Sequence, residues 1–484
     1  MSFETPSGDL SAFTEVVPES ARLGGLTKSS ILTQRRRCRV TPQTGPNYGS
    51  AGANGGGQQL QFLIADQGGL VDPRSIVLNY TIQTTGTNSV PDDGHCFSTV
   101  QVLMNGQLMD NIQNAMKLTN IEMKMGGSKS YYQTAGSFQG FEILNNDLTA
   151  VATPATTALS QWGYVSQNLA DLAQRCQRSA APQWNNIAGE QRSIPLGLVS
   201  GVGRMKQYIP ISLLGELSLV LVTGSTGEVM FQNGTQADCG YSLSGVSLEY
   251  DVVVPDSRYM ALLQKIASDP SDSGINLPFE SSIVTAGAAI AASSSALTEN
   301  TVIVSRATNH LLRASVVQIL SSALQSQAFP SQSCFSHAGT WSYQMRIGSQ
   351  VYPQISAQGD ASMFNTSLLA YGAVTNENGA LVNRALWGNS STGASGVYET
   401  AQINTGGSVK YWGADSFVPS YGFAVCKGAA EPLDVDGVSL AGASGSQLIV
   451  SLVSAPYAAY TPYVALVALK FIKAAGGSVA VVGA

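Results

Sequence analysis

Asp251-Val-Val-Val-Pro-Asp-Ser-Arg-Tyr-Met-Ala-Leu-Leu-Gln-Lys-Ile-Ala-Ser-Asp-Pro270 decides how the rest of this chain is read. The segment leaves a strand, turns at Pro255 and becomes a short helix. Asp256 or Ser257 can accept the first-turn N–H groups that lack an intrahelical partner, and Asp269-Pro270 ends the pattern. Tyr259, Leu262, Leu263 and Ile266 fall at i, i+3, i+4 and i+7, so this stripe of the helix is expected to pack against an apolar surface. A charge placed in it, as in Leu263→Asp, is expected to destabilise the fold. The residues before and after read alike, and each half is long enough to be a domain. The segment is a bracket between two β-rich halves.

Working outward, apolar residues alternate with polar ones at the period of a half-buried strand. Leu60, Phe62 and Ile64 do so in 58–65, Ile76, Leu78, Tyr80 and Ile82 in 69–82, and Val246, Leu248, Tyr250 and Val252 just before the bracket. Asn105-Gly106 supplies the two residues of a tight hairpin in the run 96–109. Residues 206–222 read as a turn feeding a strand, 114–125 as a short helix, and 140–190 as loop with a helical piece at 167–178. The second half repeats this texture, with strands expected at 301–305, 311–320, 340–347, 447–453 and 463–472. A Gly-, Asn-, Ser- and Thr-rich insertion at 375–407 has the composition of a long surface loop. The division that follows is an N-terminal arm (1–57), a first sandwich (58–255), a linker helix (256–275) and a second sandwich (276–484), the last starting its strands just beyond Pro278.

Composition agrees with an all-β chain. Of 484 residues, 44% are hydrophobic, enough for a core in each half, and 50 glycines punctuate the short apolar runs. Charged residues make up 12%, about half of the roughly 25% of an ordinary soluble domain. Charge depletion marks the cores of interfaces, so burial against other copies is the first explanation, with a surface of uncharged polar groups the second. A net charge of −6 gives no reason to expect nucleic-acid binding by the body of the protein. The six cysteines stand singly, which argues for packed thiols rather than a disulfide framework or zinc site. The N-terminus lacks the basic and apolar regions of a secretory signal, and synthesis in a cytosol-like compartment is expected.

Chemistry is scarce. His95, His310 and His337 have no metal-like spacing, and no nucleophile elbow, phosphate loop or dinucleotide fingerprint occurs. Asp434-Val-Asp-Gly437 begins like a calcium loop, but Gly445 stands where the closing glutamate belongs. Sequons at Asn79, Asn233, Asn365 and Asn389 fit chance occurrence in an Asn-, Ser- and Thr-rich chain. Arg35-Arg-Arg-Cys-Arg39, inside the arm, has two readings. One is contact with a polyanion, either nucleic acid or acidic lipid. The other, which weighs more because four arginines are a weak footprint, is a solvated cluster or a salt-bridging patch to a neighbouring subunit.

Several stretches together resemble the double-jelly-roll major capsid proteins of tailless icosahedral DNA viruses, the lineage of adenovirus hexon, virophages, polinton-like viruses and nucleocytoplasmic large DNA viruses. They are Gly69-Leu-Val-Asp-Pro-Arg-Ser-Ile-Val-Leu-Asn-Tyr80, Phe97-Ser-Thr-Val-Gln-Val-Leu-Met-Asn-Gly-Gln-Leu-Met109, Tyr208-Ile-Pro-Ile-Ser-Leu-Leu-Gly-Glu-Leu-Ser-Leu-Val-Leu221, Val246-Ser-Leu-Glu-Tyr-Asp-Val-Val253 and Tyr343-Gln-Met-Arg-Ile-Gly-Ser-Gln-Val-Tyr-Pro353. Their order spans 58–484, and the texture is similar to polinton-like and virophage forms. The resemblance implies two tandem eight-stranded antiparallel jelly-roll sandwiches joined by a short linker helix, with few short helices in loops. It further implies a hexon-like homotrimer, pseudo-hexagonal in outline, that tiles an icosahedral capsid, with no catalysis and no cofactor. Implied partners are other capsomers, penton and minor capsid proteins, and a host receptor at the loop tips. Arg35, Arg36, Arg37 and Arg39 would lie at the capsomer base, against neighbours, minor proteins, an internal membrane or the genome. The implied location is the virion, after synthesis in host cytoplasm or nucleus without secretion. The polar insertion in the second half departs from the pattern and leaves its loops unassigned. The rival reading is a carbohydrate-binding or adhesive β-sandwich, with Trp387, Tyr398, Tyr411 and Trp412 stacking on sugar rings. An enzyme on a jelly-roll scaffold would need ligands or paired carboxylates that the sequence does not offer.

Overall fold

The computed structural model describes residues 32–48, 56–65, 68–85, 89–92, 94–127, 135–136, 138–140, 190–232, 240–268, 275–292, 298–305, 310–321, 324, 341–358, 360–371, 420–422, 439–440, 447–454, 459–475 and 478–482. Its first half contains β1 (Leu32–Val40), β2 (Gln59–Ile64), β3 (Leu70–Thr85), β4 (Ser89–Pro91), β5 (Phe97–Met104), β6 (Gln107–Gln113), β7 (Glu190–Pro195), β8 (Leu217–Thr223), β9 (Met230–Gln232) and β10 (Gly240–Pro255). The second contains β11 (Ile275–Ala286), β12 (Thr298–Ser305), β13 (Leu311–Leu320), β14 (Trp341–Ile347), β15 (Gln350–Gln358), β16 (Ser420–Gly422), β17 (Gln447–Ser454), β18 (Tyr460–Ala475) and β19 (Ser478–Val482). Three longer helices are α1 (Ala115–Gly126), α2 (Ser257–Ser268) and α3 (Asp360–Ala370).

The pairing follows one plan twice. In the first half the sheets are ordered β1-β10-β3-β7 and β2-β8-β5-β6; in the second they are β11-β18-β13-β16 and β12-β17-β14-β15, with β19 added beside β18. In both, the chain passes repeatedly from one sheet to the other, and all pairs are antiparallel. This is the jelly-roll arrangement of two packed four-stranded sheets, present in tandem. Roll 1 denotes the first and roll 2 the second.

Each core forms where the inner faces of two sheets meet. In roll 1, Leu60, Phe62 and Ile64 from β2 meet Ile76, Leu78, Tyr80 and Ile82 from β3, all nearly inaccessible to solvent. Val246, Leu248, Tyr250 and Val252 are buried as their alternation predicts, while the buried Tyr241 and Leu243 have the opposite phase. A bulge between Ser244 and Ser247 accounts for the switch. At Asn105-Gly106 both residues have positive φ, 49° and 76°, the geometry of the tight hairpin that joins β5 to β6.

Two boundaries differ from the sequence expectation. The supposed arm is not free along its length: residues 32–40 are the edge strand β1, paired with β10 from Leu32↔Pro255 to Val40↔Leu248, and Tyr48 exchanges backbone hydrogen bonds with Leu243. Roll 1 therefore begins well before residue 58. Pro278 lies inside β11 rather than ahead of it. Because β11 is an edge strand, a residue without an N–H is tolerated there.

Candidate functional site: the charged seam between the rolls and the arginine edge strand

The two rolls meet along a seam built by β6, α1 and the 3-10 turn Gly201–Arg204 from roll 1 and by β11, β13 and β18 from roll 2. Four ions from four separate elements cross it. Arg204 Nη2 stands 2.6 Å from Glu122 Oε2 and its Nη1 3.2 Å from Glu280 Oε2, while Arg313 Nη2 lies 2.8 Å from Glu122 Oε1 and 3.8 Å from Glu280 Oε2. Arg313 is buried, its guanidinium 4.9 Å from the centre of the Tyr371 ring, whose hydroxyl is bonded to Ser315 at 2.8 Å. Burial pushes the Glu122 carboxyl up, but the guanidinium groups of Arg204 and Arg313 outweigh it and hold Glu122 below its ordinary 4.5. A charge pair with both partners held by hydrogen bonds fixes one orientation, and removing one member strands the others.

Beside these ions, Asp110 on β6 is buried. It accepts hydrogen bonds from Ser200 Oγ at 2.7 Å and, across the seam, from Ser281 Oγ at 2.9 Å. Burial raises its pKa above the ordinary 3.8, with the two hydroxyls and Lys470 acting against the rise. A polar groove opens here, lined by Leu108 and Asn111 of β6, Ser281 and Ile283 of β11, and Lys470. Lys117 on α1 points its ammonium over the Tyr463 ring of roll 2 at 4.9 Å. Burial lowers it to about 8, with Glu228 and Asp92 opposing.

Backbones touch as well. A Cβ at Gly201 would stand 1.8 Å from the Glu280 carbonyl oxygen, so only glycine lets the rolls approach this closely. None of this seam was anticipated, since its charged members share no local spacing. One signal was present: α1 carries apolar residues on every side, and all its side chains with an assigned burial are covered except Glu122, which is half-buried. A helix apolar all round is covered on more than one side.

The arginines of the supposed arm alternate along β1. Arg35, Arg37 and Arg39 face outward, and Cys38 and Val40 face the core. Arg35 pairs with Asp72 at 2.9 Å and Asp251 at 2.8 Å, and Arg37 pairs with Glu249 at 2.9 Å and Asp251 at 3.5 Å. Asp72 and Asp251 are directly opposed in register, so Arg35 offsets a like-charge repulsion between neighbouring strands. Half of the cluster is thus neutralised within the chain, while Arg36 and Arg39 stand exposed.

The linker helix exists as α2, capped by Asp256 Oδ1, which accepts from Arg258 N–H at 2.8 Å. Leu263 and Ile266 pack partly against the core together with Ala267, and Tyr259 is half-buried. Leu262, expected in the same stripe, is 52% exposed, and no residue of α2 is fully buried. Successive helical residues are turned by about 100°, and the covered arc is centred near Leu263 and Ala267, which leaves Leu262 on its rim.

His95 is a core residue. Phe97 N–H donates to its Nδ1 at 3.2 Å, so the ring proton is on Nε2, 2.9 Å from Thr119 Oγ1. Burial, aided by Arg192, lowers its pKa to about 3, which keeps the ring neutral. Cys38 and Cys96 are free thiols, and burial pushes Cys96 up to about 12. Among the described residues no group of His, Cys, Asp and Glu could hold a metal, and no helix is long and apolar enough to cross a membrane. The loop at 375–407, the helical piece at 167–178, Trp387, Tyr398, Tyr411, Trp412, His337 and the other four cysteines lie outside the described residues.

No protein-family model and no curated protein matches the sequence. Solved structures do match the fold. A chain of the PBCV-1 virus capsid aligns with 11% identity and a TM-score of 0.55, covering 95% of this chain and 99% of that one. PBCV-1 VP54, as fitted into a reconstruction of the virophage Sputnik, aligns with 11% identity and a TM-score of 0.51 over 95% and 99% of the two chains. The mavirus major capsid protein aligns with 10% identity and a TM-score of 0.49 over 99% and 96%. The two PBCV-1 alignments cover both rolls, and the chain has the double-jelly-roll fold of these viral capsid proteins.

Proposed function

We propose that this protein is the major capsid protein of an icosahedral virus, a structural component that self-assembles as homotrimeric, pseudo-hexagonal capsomers and carries out no catalysis. The observation that carries the reading is the pair of complete jelly rolls, matched over 95% of the chain by the PBCV-1 capsid and held in one relative orientation by a buried ionic seam. A shell tile has to be rigid, and ions fixed on four elements of two rolls supply that rigidity. The low charge content, 12%, fits extensive burial between copies, because obligate oligomers bury on the order of 2,000–5,000 Å². In the assembled particle the protein contacts its own copies first, with penton and minor capsid proteins as further partners.

Light scattering on the size-fractionated protein tests this. A mass of three chains, or shell-sized particles with pseudo-hexagonal units under the electron microscope, is expected. A monomer at micromolar concentration overturns the reading.

A further inference from the structure

The polar groove beside Asp110 has walls from both rolls. Asn111 and Gln113 stand two apart on β6 and so share a face of that strand. Opposite them are Ser281 of β11 and Lys470 of β18. Ser281 pairs with Ala468, two residues from Lys470, which puts Ser281 and Lys470 on one face of the roll 2 sheet. The groove holds about 170 Å³. That is more than ten times the ~10–15 Å³ that admits one water molecule and below the roughly 300–1,000 Å³ of pockets for drug-sized ligands, so it suits a small ion with part of its hydration shell.

The polar groups around it are unevenly matched. Among the described residues no hydrogen bond or close ion pair reaches the half-buried Lys470 ammonium or the Gln113 amide. The Asn111 side-chain carbonyl accepts from Gln101 Nε2 at 3.4 Å, which leaves the Asn111 N–H groups as donors toward the groove. Both Asp110 oxygens accept from serines, Oδ2 from Ser200 and Oδ1 from Ser281, and the residue is buried, so no carboxylate lines the groove. What faces it is one ammonium and two amides, donors on opposite walls. Burial lowers the Lys470 pKa, with Asp110 opposing, so the cation gains from a further anion.

We propose that this groove binds a small tetrahedral oxyanion, phosphate or the phosphate group of a monoester, and that the bound anion staples the two rolls together. A carboxylate has two oxygens in one plane and addresses one wall at a time. A phosphate has oxygens in four directions and reaches Lys470 on roll 2 and Asn111 and Gln113 on roll 1 together. Leu108, 49% exposed, and the half-buried Ile283 also line the groove and offer apolar surface to the carbon chain of a monoester. The seam then contains one contact set by the composition of the solution, beside the ions fixed in the chain. The site lies within one chain and does not depend on the capsomer reading.

Isothermal titration calorimetry with inorganic phosphate and, separately, with glycerol 3-phosphate tests it, the ionic strength being held constant with chloride. Saturable one-site binding to the wild type is expected. Because phosphate also stabilises proteins by exclusion from their surface, heats of binding are compared between variants rather than melting temperatures. Lys470→Met is expected to weaken binding about tenfold or more, the loss of one charge-assisted hydrogen bond, with an unchanged dichroism spectrum. Lys473→Met, at an exposed position of the same strand outside the groove, is expected to bind as the wild type does. Should Lys470→Met fold poorly, Gln113→Glu, at an exposed position of the roll 1 wall, puts a repelling charge into the same site and is expected to weaken binding as much. Tighter binding of glycerol 3-phosphate assigns the monoester, and equal or weaker binding assigns the free ion. No saturable heat from the wild type, or an affinity unchanged in either folded variant, overturns the site.

Discussion

Asp110 and Glu122 lie on consecutive elements of the same seam, and burial acts on both, yet their acidities move in opposite directions. Glu122 meets two guanidinium groups, so its charged form wins, and its contribution to stability is present above 4.5 and is lost as pH falls below that value. Asp110 meets two hydroxyls, with Lys470 and Arg204 farther off, and burial prevails. With the folded value above the ordinary 3.8, the folded state binds the proton more tightly, so stability falls as pH rises from about that value through the folded one. Asp110→Asn keeps an acceptor for one of the two serine hydroxyls, offers an N–H to the oxygen of the other, and removes the titration. Denaturant midpoints measured from pH 4 upward are expected to decline in the wild type relative to the variant, with the variant at least as stable above neutrality. Parallel curves for the two proteins would rule out a buried, titrating Asp110. His95, held neutral down to about 3 while the unfolded imidazole protonates at its ordinary 6.5, makes stability rise with pH between those values in both proteins alike, so the difference between the two curves isolates Asp110.

At the scale of elements, the linker helix separates what periodicity fixes from what it leaves open. Spacing located α2 and its cap, but the centre of its buried arc depends on the surface of β11 and β18 beneath it. Leu262→Asp, at 52% exposure, is expected to change stability by no more than about 0.5 kcal/mol, and Leu263→Asp to cost about 1–2 kcal/mol. Equal losses in thermal melts of the two variants would place both residues in one buried stripe. The same contrast runs through the sheets. β2, β3, β5, β8 and β10 were legible because their inner faces alternate against a core. β1 was not, because its outer face is filled by Arg35, Arg37 and Arg39 and only Cys38 and Val40 mark the inner one, so that a strand read as an arm. β11 was obscured by Pro278, which only an edge position permits. The ions of the seam were illegible for a different reason: Glu122, Arg204, Glu280 and Arg313 are brought together by the packing of two rolls, and no spacing in sequence encodes that.

For the whole molecule, the seam decides whether the chain behaves as two domains or one body. Each roll has its own closed pair of sheets and could unfold alone, but Asp110, Glu122 and Lys117 of roll 1 would then leave Ser281, Arg313 and Tyr463 behind. Buried charges stripped of partners are costly, which couples the two transitions. Gly201 is the point at which this coupling is most exposed to a single change, because any side chain there meets the Glu280 carbonyl from a Cβ distance of 1.8 Å and has to push the rolls apart. Neither core contains that glycine's missing side chain, so the rolls themselves should survive. Gly201→Val is therefore expected to convert a single calorimetric unfolding transition into two, the lower one at a reduced temperature, with the far-ultraviolet dichroism at low temperature retained. On the proposed capsomer reading, loss of trimer should accompany it, since a face made from both rolls needs them in register. One unshifted transition in the variant would mean that the seam transmits nothing between the rolls.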